Sequence, residues 1–174
     1  MIAEDYAKIT EIANKVSNTM YIGIDPGKNG GISFMYRGKV DAYKCPTTPE
    51  LMAKLFEDII SNKNKKFIHE YRMCRIVLEK VHSFPGQGVV SMFSFGQNFG
   101  RWEGILSSFS VYYEYVEPKK WQKHYAIKEK DKKKRKLALK ELAQSIAPGL
   151  KVTYAISDAI LLANYCLEKQ QELQ

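Results

Sequence analysis

Met20-Tyr21-Ile22-Gly23-Ile24-Asp25-Pro26-Gly27 is a short apolar run that ends in an acid, a proline and a glycine. It is too short for an ordinary helix and reads as a buried strand, with Asp-Pro-Gly as the turn that stops it. Residues 32–36 and 39–43 follow as two more strands, split by Gly-rich and Arg-Gly turns, so an antiparallel meander is expected. Thr48-Pro49-Glu50 is a helix start, and Leu51, Leu55, Ile59 and Ile60 share one face of the segment behind it, before a polar loop over residues 61–66. Residues 75–81 read as a strand built on Ile76, Val77, Leu78 and Val81, with Glu79 near its far end. Residues 89–107 carry Met92, Phe93, Phe95, Phe99, Trp102 and Leu106 at near-helical spacing and read as a core helix, though interrupted by glycines. A strand over 111–116, a short helix over 118–124, a basic amphipathic helix over 132–146 ended by Pro148-Gly149, and a last helix over 157–170 complete the order. Ile160, Leu161, Tyr165 and Leu167 give that last helix its apolar side. Five strands interleaved with helices predict an α/β domain: a mixed five-stranded sheet flanked by helices on both faces. It occupies residues 19–174, preceded over 1–18 by an amphipathic helix with Tyr6, Ile9, Ile12 and Val16 on one side.

A length of 174 residues suits one domain, since independent domains run on the order of 100–200 residues. Lys and Arg number 27 against 19 Asp and Glu, a net charge of +8, so the surface field favours a polyanion, with nucleic acid the leading partner. No apolar stretch approaches the roughly 18 residues of a membrane span, and Glu4 and Asp5 stand where a secretory or transit leader would be basic. Cys45, Cys74 and Cys166 are odd in number and scattered, which suits a reducing, cytoplasmic setting and offers neither a zinc site nor a disulfide framework.

Three acids stand at the ends of elements whose other residues look buried: Asp25, Glu79 and Asp158. Each taken alone has a local explanation, Asp25 in its turn and Asp158 at a helix N-terminus. Taken together they have another. If the first and fourth strands are neighbours, Asp25 and Glu79 share one edge of the sheet, and a helix opening at Asp158 completes a cluster that needs a cation. Oxygen ligands without histidine or cysteine select magnesium, or manganese in its place. Two such ions roughly 3.5–4 Å apart can activate a water and stabilise the departing oxygen of a phosphodiester. In this reading Asp25 bridges both ions, and Glu79 and Asp158 each complete one.

The motifs as a set carry a resemblance. Ile22-Gly23-Ile24-Asp25-Pro26-Gly27 with Gly30-Gly31, then Val77-Leu78-Glu79-Lys80-Val81, then Ser157-Asp158-Ala159-Ile160-Leu161-Leu162-Ala163, resemble the catalytic motifs of RuvC-like Holliday-junction resolvases. Pro85-Gly86-Gln87-Gly88, Ser91-Met92-Phe93-Ser94-Phe95-Gly96 and Phe99-Gly100 are similar to the phage and prokaryotic branch of that family. The resemblance runs from about residue 20 to 165 and implies an RNase H-like fold. It also implies a metal-dependent endonuclease that resolves four-way DNA junctions, and the cytoplasm of a prokaryotic or virus-infected cell. A four-way junction is nearly two-fold symmetric and needs two cuts, which suits a homodimer. The family usually carries an acid or a histidine three residues before its last Asp, and here that position is Ala155. The substitution admits one alternative, a non-catalytic junction-binding protein, and independently of it the fold also admits an RNase H-fold nuclease for RNA–DNA hybrids or other branched DNA. An Asp-x-Gly loop after a strand also occurs in phosphate-loop ATPases, but those need two such subdomains.

DNA contacts are expected from three places. Lys132, Lys133, Lys134 and Arg135 lie in a lysine run from 128 to 140 that is either a solvated face or a phosphate-binding surface. Lys120 and Lys123 flank Trp121, itself either a packing anchor or part of the surface, and the resemblance implies that a lysine here, such as Lys120, approaches the scissile phosphate. Lys80, His82, Ser83 and Gln87 lie beside or within the Pro/Gly-rich loop after the fourth strand, whose backbone can come close to DNA.

Overall fold

The structure, a computed structural model, describes residues 19–61, 74–80, 86 and 88–172. The helix expected over 1–18 and the loop residues His82, Ser83 and Gln87 lie outside the described residues. Strands β1 (Met20–Ile24), β2 (Gly31–Tyr36) and β3 (Lys39–Lys44) are followed by α1 (Pro49–Ser61), β4 (Cys74–Glu79) and α2 (Val89–Ser108). Then come β5 (Tyr113–Val116), α3 (Pro118–His124), α4 (Lys132–Ile146) and α5 (Tyr154–Gln171).

The sheet has the order β3-β2-β1-β4-β5. β1, β2 and β3 form the expected antiparallel meander, while β4 joins β1 in parallel and β5 joins β4 in parallel. β1 is therefore central, and its composition explains why: Ile22 and Ile24 are fully buried on one face and Tyr21 is buried on the other. A strand covered on both sides must be apolar throughout. One core joins Ile22, Ile24, Ile32, Ile76 and Leu78 to Met52 and Phe56 of α1 and Trp102 and Leu106 of α2. The other joins Tyr21, Met35, Val77 and Val116 to Trp121 of α3, Leu139 and Leu142 of α4, and Ile160 and Leu161 of α5. Each fully buried aliphatic side chain contributes about 1.5–3 kcal/mol, so the sheet is held from both faces.

Local signals set the helix starts. Pro118 opens α3, and the Asp131 carboxylate caps α4 by accepting from the backbone N–H groups of Lys133 and Lys134 at 3.0 and 2.9 Å. Two expectations need correction. α5 begins at Tyr154, not Ser157, because Thr153 takes the extended conformation and its carbonyl accepts from Ile156 and Ser157. Asp158 thus sits one turn inside the helix. In α2, Trp102 and Leu106 are core residues as expected, but Phe93 is 66% exposed. The apolar stripe of this helix is wider than the one face the sheet can cover.

Candidate active site

The parallel register pairs Gly23 with Val77 and Ile24 with Leu78, so the next residues outward, Asp25 and Glu79, stand side by side at the carboxyl end of the sheet. Side chains alternate along a strand, and Glu79 shares the face of Val77, which packs on α5. Asp25 shares the face of Gly23, where α5 comes so near that a Cβ would lie 2.4 Å from the Ala159 carbonyl. Asp158 precedes Ala159, so three acids distant in sequence meet where two strand ends face the first turns of one helix.

Each carboxyl group is anchored differently. The Gly27 backbone N–H donates to Asp25 Oδ1 at 3.0 Å, closing the turn after β1. Gly30 leaves room for that carboxylate, since a Cβ there would lie 2.6 Å from Asp25 Cγ. Trp121 Nε1 donates to Glu79 Oε1 at 2.8 Å, and Ser157 Oγ donates to Asp158 Oδ1 at 3.2 Å. Burial pushes the Asp25 carboxyl up to about 6, with the Gly27 bond opposing and the Asp158 charge adding. Burial also pushes Glu79 up to about 8, reinforced by the charges of Asp25 and Asp158 against the Trp121 bond. Asp158 is likewise raised by burial, against the Ser157 hydrogen bond and the Lys136 ammonium. Asp158 thus makes ionisation of Asp25 harder, and both together make that of Glu79 harder.

Lys136 is the cation that acts on both Asp25 and Asp158. Its placement follows from the α4–α5 hairpin: Lys140 Nζ sits 5.2 Å from the centre of the Tyr154 ring, and one turn back along α4 brings Lys136 level with the turn of α5 that holds Asp158. Within a run of lysines nothing in the sequence distinguishes it. Trp121 is fully buried, so it is a packing anchor that also holds Glu79, a contact between residues too far apart in sequence for spacing to suggest.

The other expected site residues are distributed as follows. Lys132, Lys133 and Lys134 are exposed and Arg135 half-buried on the first turns of α4, beside Lys136. Lys80 is exposed directly after Glu79, its backbone N–H donating to Val116, and Lys123 is exposed at the end of α3. Lys120 is exposed on α3 and lines a depression together with Arg75 and Lys169. Ala155 is half-buried in the first turn of α5, three residues before Asp158, as its position in sequence requires.

Three carboxylates with no thiolate or imidazole match a hard divalent cation in donor chemistry. Among the described residues, no three acid, histidine or cysteine side chains are drawn closely enough to hold an ion as they stand. Trp121 keeps one Glu79 oxygen engaged.

No family model and no curated protein matches the sequence. Among solved structures the chain is similar to T. thermophilus RuvC in complex with Holliday junction substrate. The identity is 17% and the TM-score 0.56, over 88% of this chain and 96% of that one. A second Thermus thermophilus RuvC structure is similar at 14% identity and TM-score 0.54, over 88% and 97%. With a five-stranded mixed sheet flanked by helices on both faces, the chain has a RuvC-like fold of the RNase H-like class.

Proposed function

We propose that the chain is a divalent-metal-dependent endonuclease for branched DNA that resolves four-way junctions by paired nicks, acting as a homodimer. The observation that carries this reading is the meeting of Asp25, Glu79 and Asp158 at one end of the sheet, beside the lysine-rich start of α4. Asp25, Glu79 and Asp158 would hold magnesium, or manganese, as two ions per site. When bound, these supply Lewis-acid activation of a water and charge stabilisation at the departing oxygen. Trp121 fixes the direction of Glu79, and Lys136 offsets negative charge while the site is forming. Lys132, Lys133, Lys134 and Arg135, with Lys80, Lys123 and the loop residues His82, Ser83 and Gln87, contact backbone phosphates and set the DNA in register.

The test is cleavage of a synthetic four-way junction in magnesium, beside an RNA–DNA hybrid of equal length. Cutting of the junction and loss of cutting in Asp25→Asn are expected. Preferential cutting of the hybrid would move the assignment to another RNase H-like activity. Ala155 favours one competing reading, a protein that binds junctions without cutting them, since it removes a ligand position one helical turn from Asp158. Ala155→Asp is accordingly expected to raise the cleavage rate severalfold or more; an unchanged rate means that no ligand belongs there.

The dimer has a surface suited to it. Val89, Phe93, Gly96, Gly100 and Gly104 follow one another along the outer side of α2, with Val89 77% exposed, and among the described residues a Cβ at any of the three glycines would meet nothing within 4 Å. The charges of α2 are Arg101 and Glu103, both engaged, with Asn98 and Tyr115 respectively. An uncharged helix side of this kind, on a protein of net charge +8, fits close backbone approach by the same helix of a second copy. Phe93→Asp should convert the dimer to a monomer in sedimentation and abolish paired nicking; a dimer that survives the change places the interface elsewhere.

A further inference from the structure

Positive charge also gathers at the opposite end of β4. A cavity of about 170 Å³ opens between β4, β5, α3 and α5, and its walls include Arg75, Lys120, Lys169, Glu114, Tyr112 and Tyr165. Lys169 is engaged by Glu172 and lies over the Tyr165 ring at 5.9 Å. Arg75 and Lys120 have no ion pair among the described residues, and both are exposed. With Lys169 matched by Glu172, Arg75 and Lys120 face one acid of the lining, Glu114, and much of the remaining wall is apolar, which strengthens charge interactions at its surface. Unmatched cations held together in a hollow are stabilised by an anion that spans them. A guanidinium and an ammonium from two different elements suit a phosphate, which Arg75 can meet through two N–H groups while Lys120 supplies a point charge.

Arg75 lies on the same face of β4 as Glu79, four residues earlier, and a strand rises about 3.3 Å per residue. The depression is therefore on the order of 13 Å from the carboxylate cluster. We infer that Arg75 and Lys120, with Lys169 at the rim, form a second phosphate-binding site, which grips the DNA backbone away from the bond being cut. The inference rests on the proposed action on DNA and assigns Lys120 to anchoring the substrate instead of to the scissile phosphate.

The experiment compares junction binding by wild type and Arg75→Ala/Lys120→Ala over a range of salt concentrations, read by fluorescence anisotropy. Both side chains are exposed, so the variant should melt with the wild type. Each lost phosphate contact flattens the dependence of log K on log salt by about 0.9, so a slope shallower by about 2 is expected, with Arg75→Lys alone keeping most of it. A slope equal to that of wild type overturns the proposal. So does a pattern in which inorganic phosphate or a mononucleotide protects wild type but not the variant from melting while the DNA slope stays unchanged, because the hollow would then serve a free phosphate. Failure of the nuclease reading is distinguishable: wild type would bind junctions without cutting them, and the slope comparison would still decide this site.

Discussion

Glu79→Gln is expected to raise the melting temperature of the metal-free protein near pH 8 and to abolish cleavage. Burial and two neighbouring acids raise the Glu79 carboxyl to about 8 from its ordinary 4.5, and Asp25 rises to about 6 from 3.8. Between roughly pH 4 and pH 8 the unfolded chain therefore binds fewer protons than the folded one, and stability must fall as pH rises through that window. The contribution is whole below about pH 4 and is lost above the folded values. Each tenfold change in proton affinity is worth about 1.4 kcal/mol, so the ionised Glu79 costs a few kcal/mol at about pH 8. For a chain of this size that is a melting difference of roughly 5–10 °C. Glutamine keeps the shape and an oxygen to accept from Trp121, and it carries no charge. Scans at about pH 5 and pH 8, with chelator and with magnesium, check this. The variant should lose most of the pH dependence, and magnesium should restore wild type at the higher pH but leave the variant unmoved. Parallel pH profiles for the two proteins would mean that Glu79 is not strained by its neighbours.

Gly23→Ala is expected to damage the fold more than any surface change. Its Cβ would lie 2.2 Å from the Ala163 nitrogen and 2.4 Å from the Ala159 carbonyl oxygen, both backbone atoms of α5. Ordinary overpacking costs about 1–3 kcal/mol because side chains can yield. Here the neighbour is a helix backbone pressed on the central strand, so the cost should reach or pass the top of that range. Thermal melting would show a loss of roughly 10 °C or insoluble expression. If the protein still folds, α5 must have moved, and with it Asp158, so cleavage should fall further than stability alone explains. A variant that melts and cuts like wild type would show that α5 does not rest on β1.

Much of this arrangement is legible in the sequence because it depends on local pattern. The apolar run closing at Asp25, the Pro118 helix start and the Asp131 cap each act within a few residues, and the structure has β1, α3 and α4 where those signals put them. The start of α5 is misread because Ser157-Asp158 looks like a cap, whereas Thr153 ends the extended segment through its backbone with no side-chain cap bond to advertise it. Phe93 is misplaced for a different reason: periodicity shows that a helix has an apolar side but not whether the sheet or another surface covers it. The bond from Trp121 to Glu79 and the position of Lys136 arise only when distant elements pack, and no spacing rule encodes them.

Because α5 meets β1 backbone to backbone at Gly23, the ends of these elements that bear Asp25 and Asp158 cannot slide past each other without breaking the centre of the sheet. These two elements therefore cannot act as a jaw that closes on its target. On the proposed action, the bending or unstacking that brings a phosphate to the three acids would fall to the DNA, so a flexible crossover would be an easier substrate than a stiff duplex.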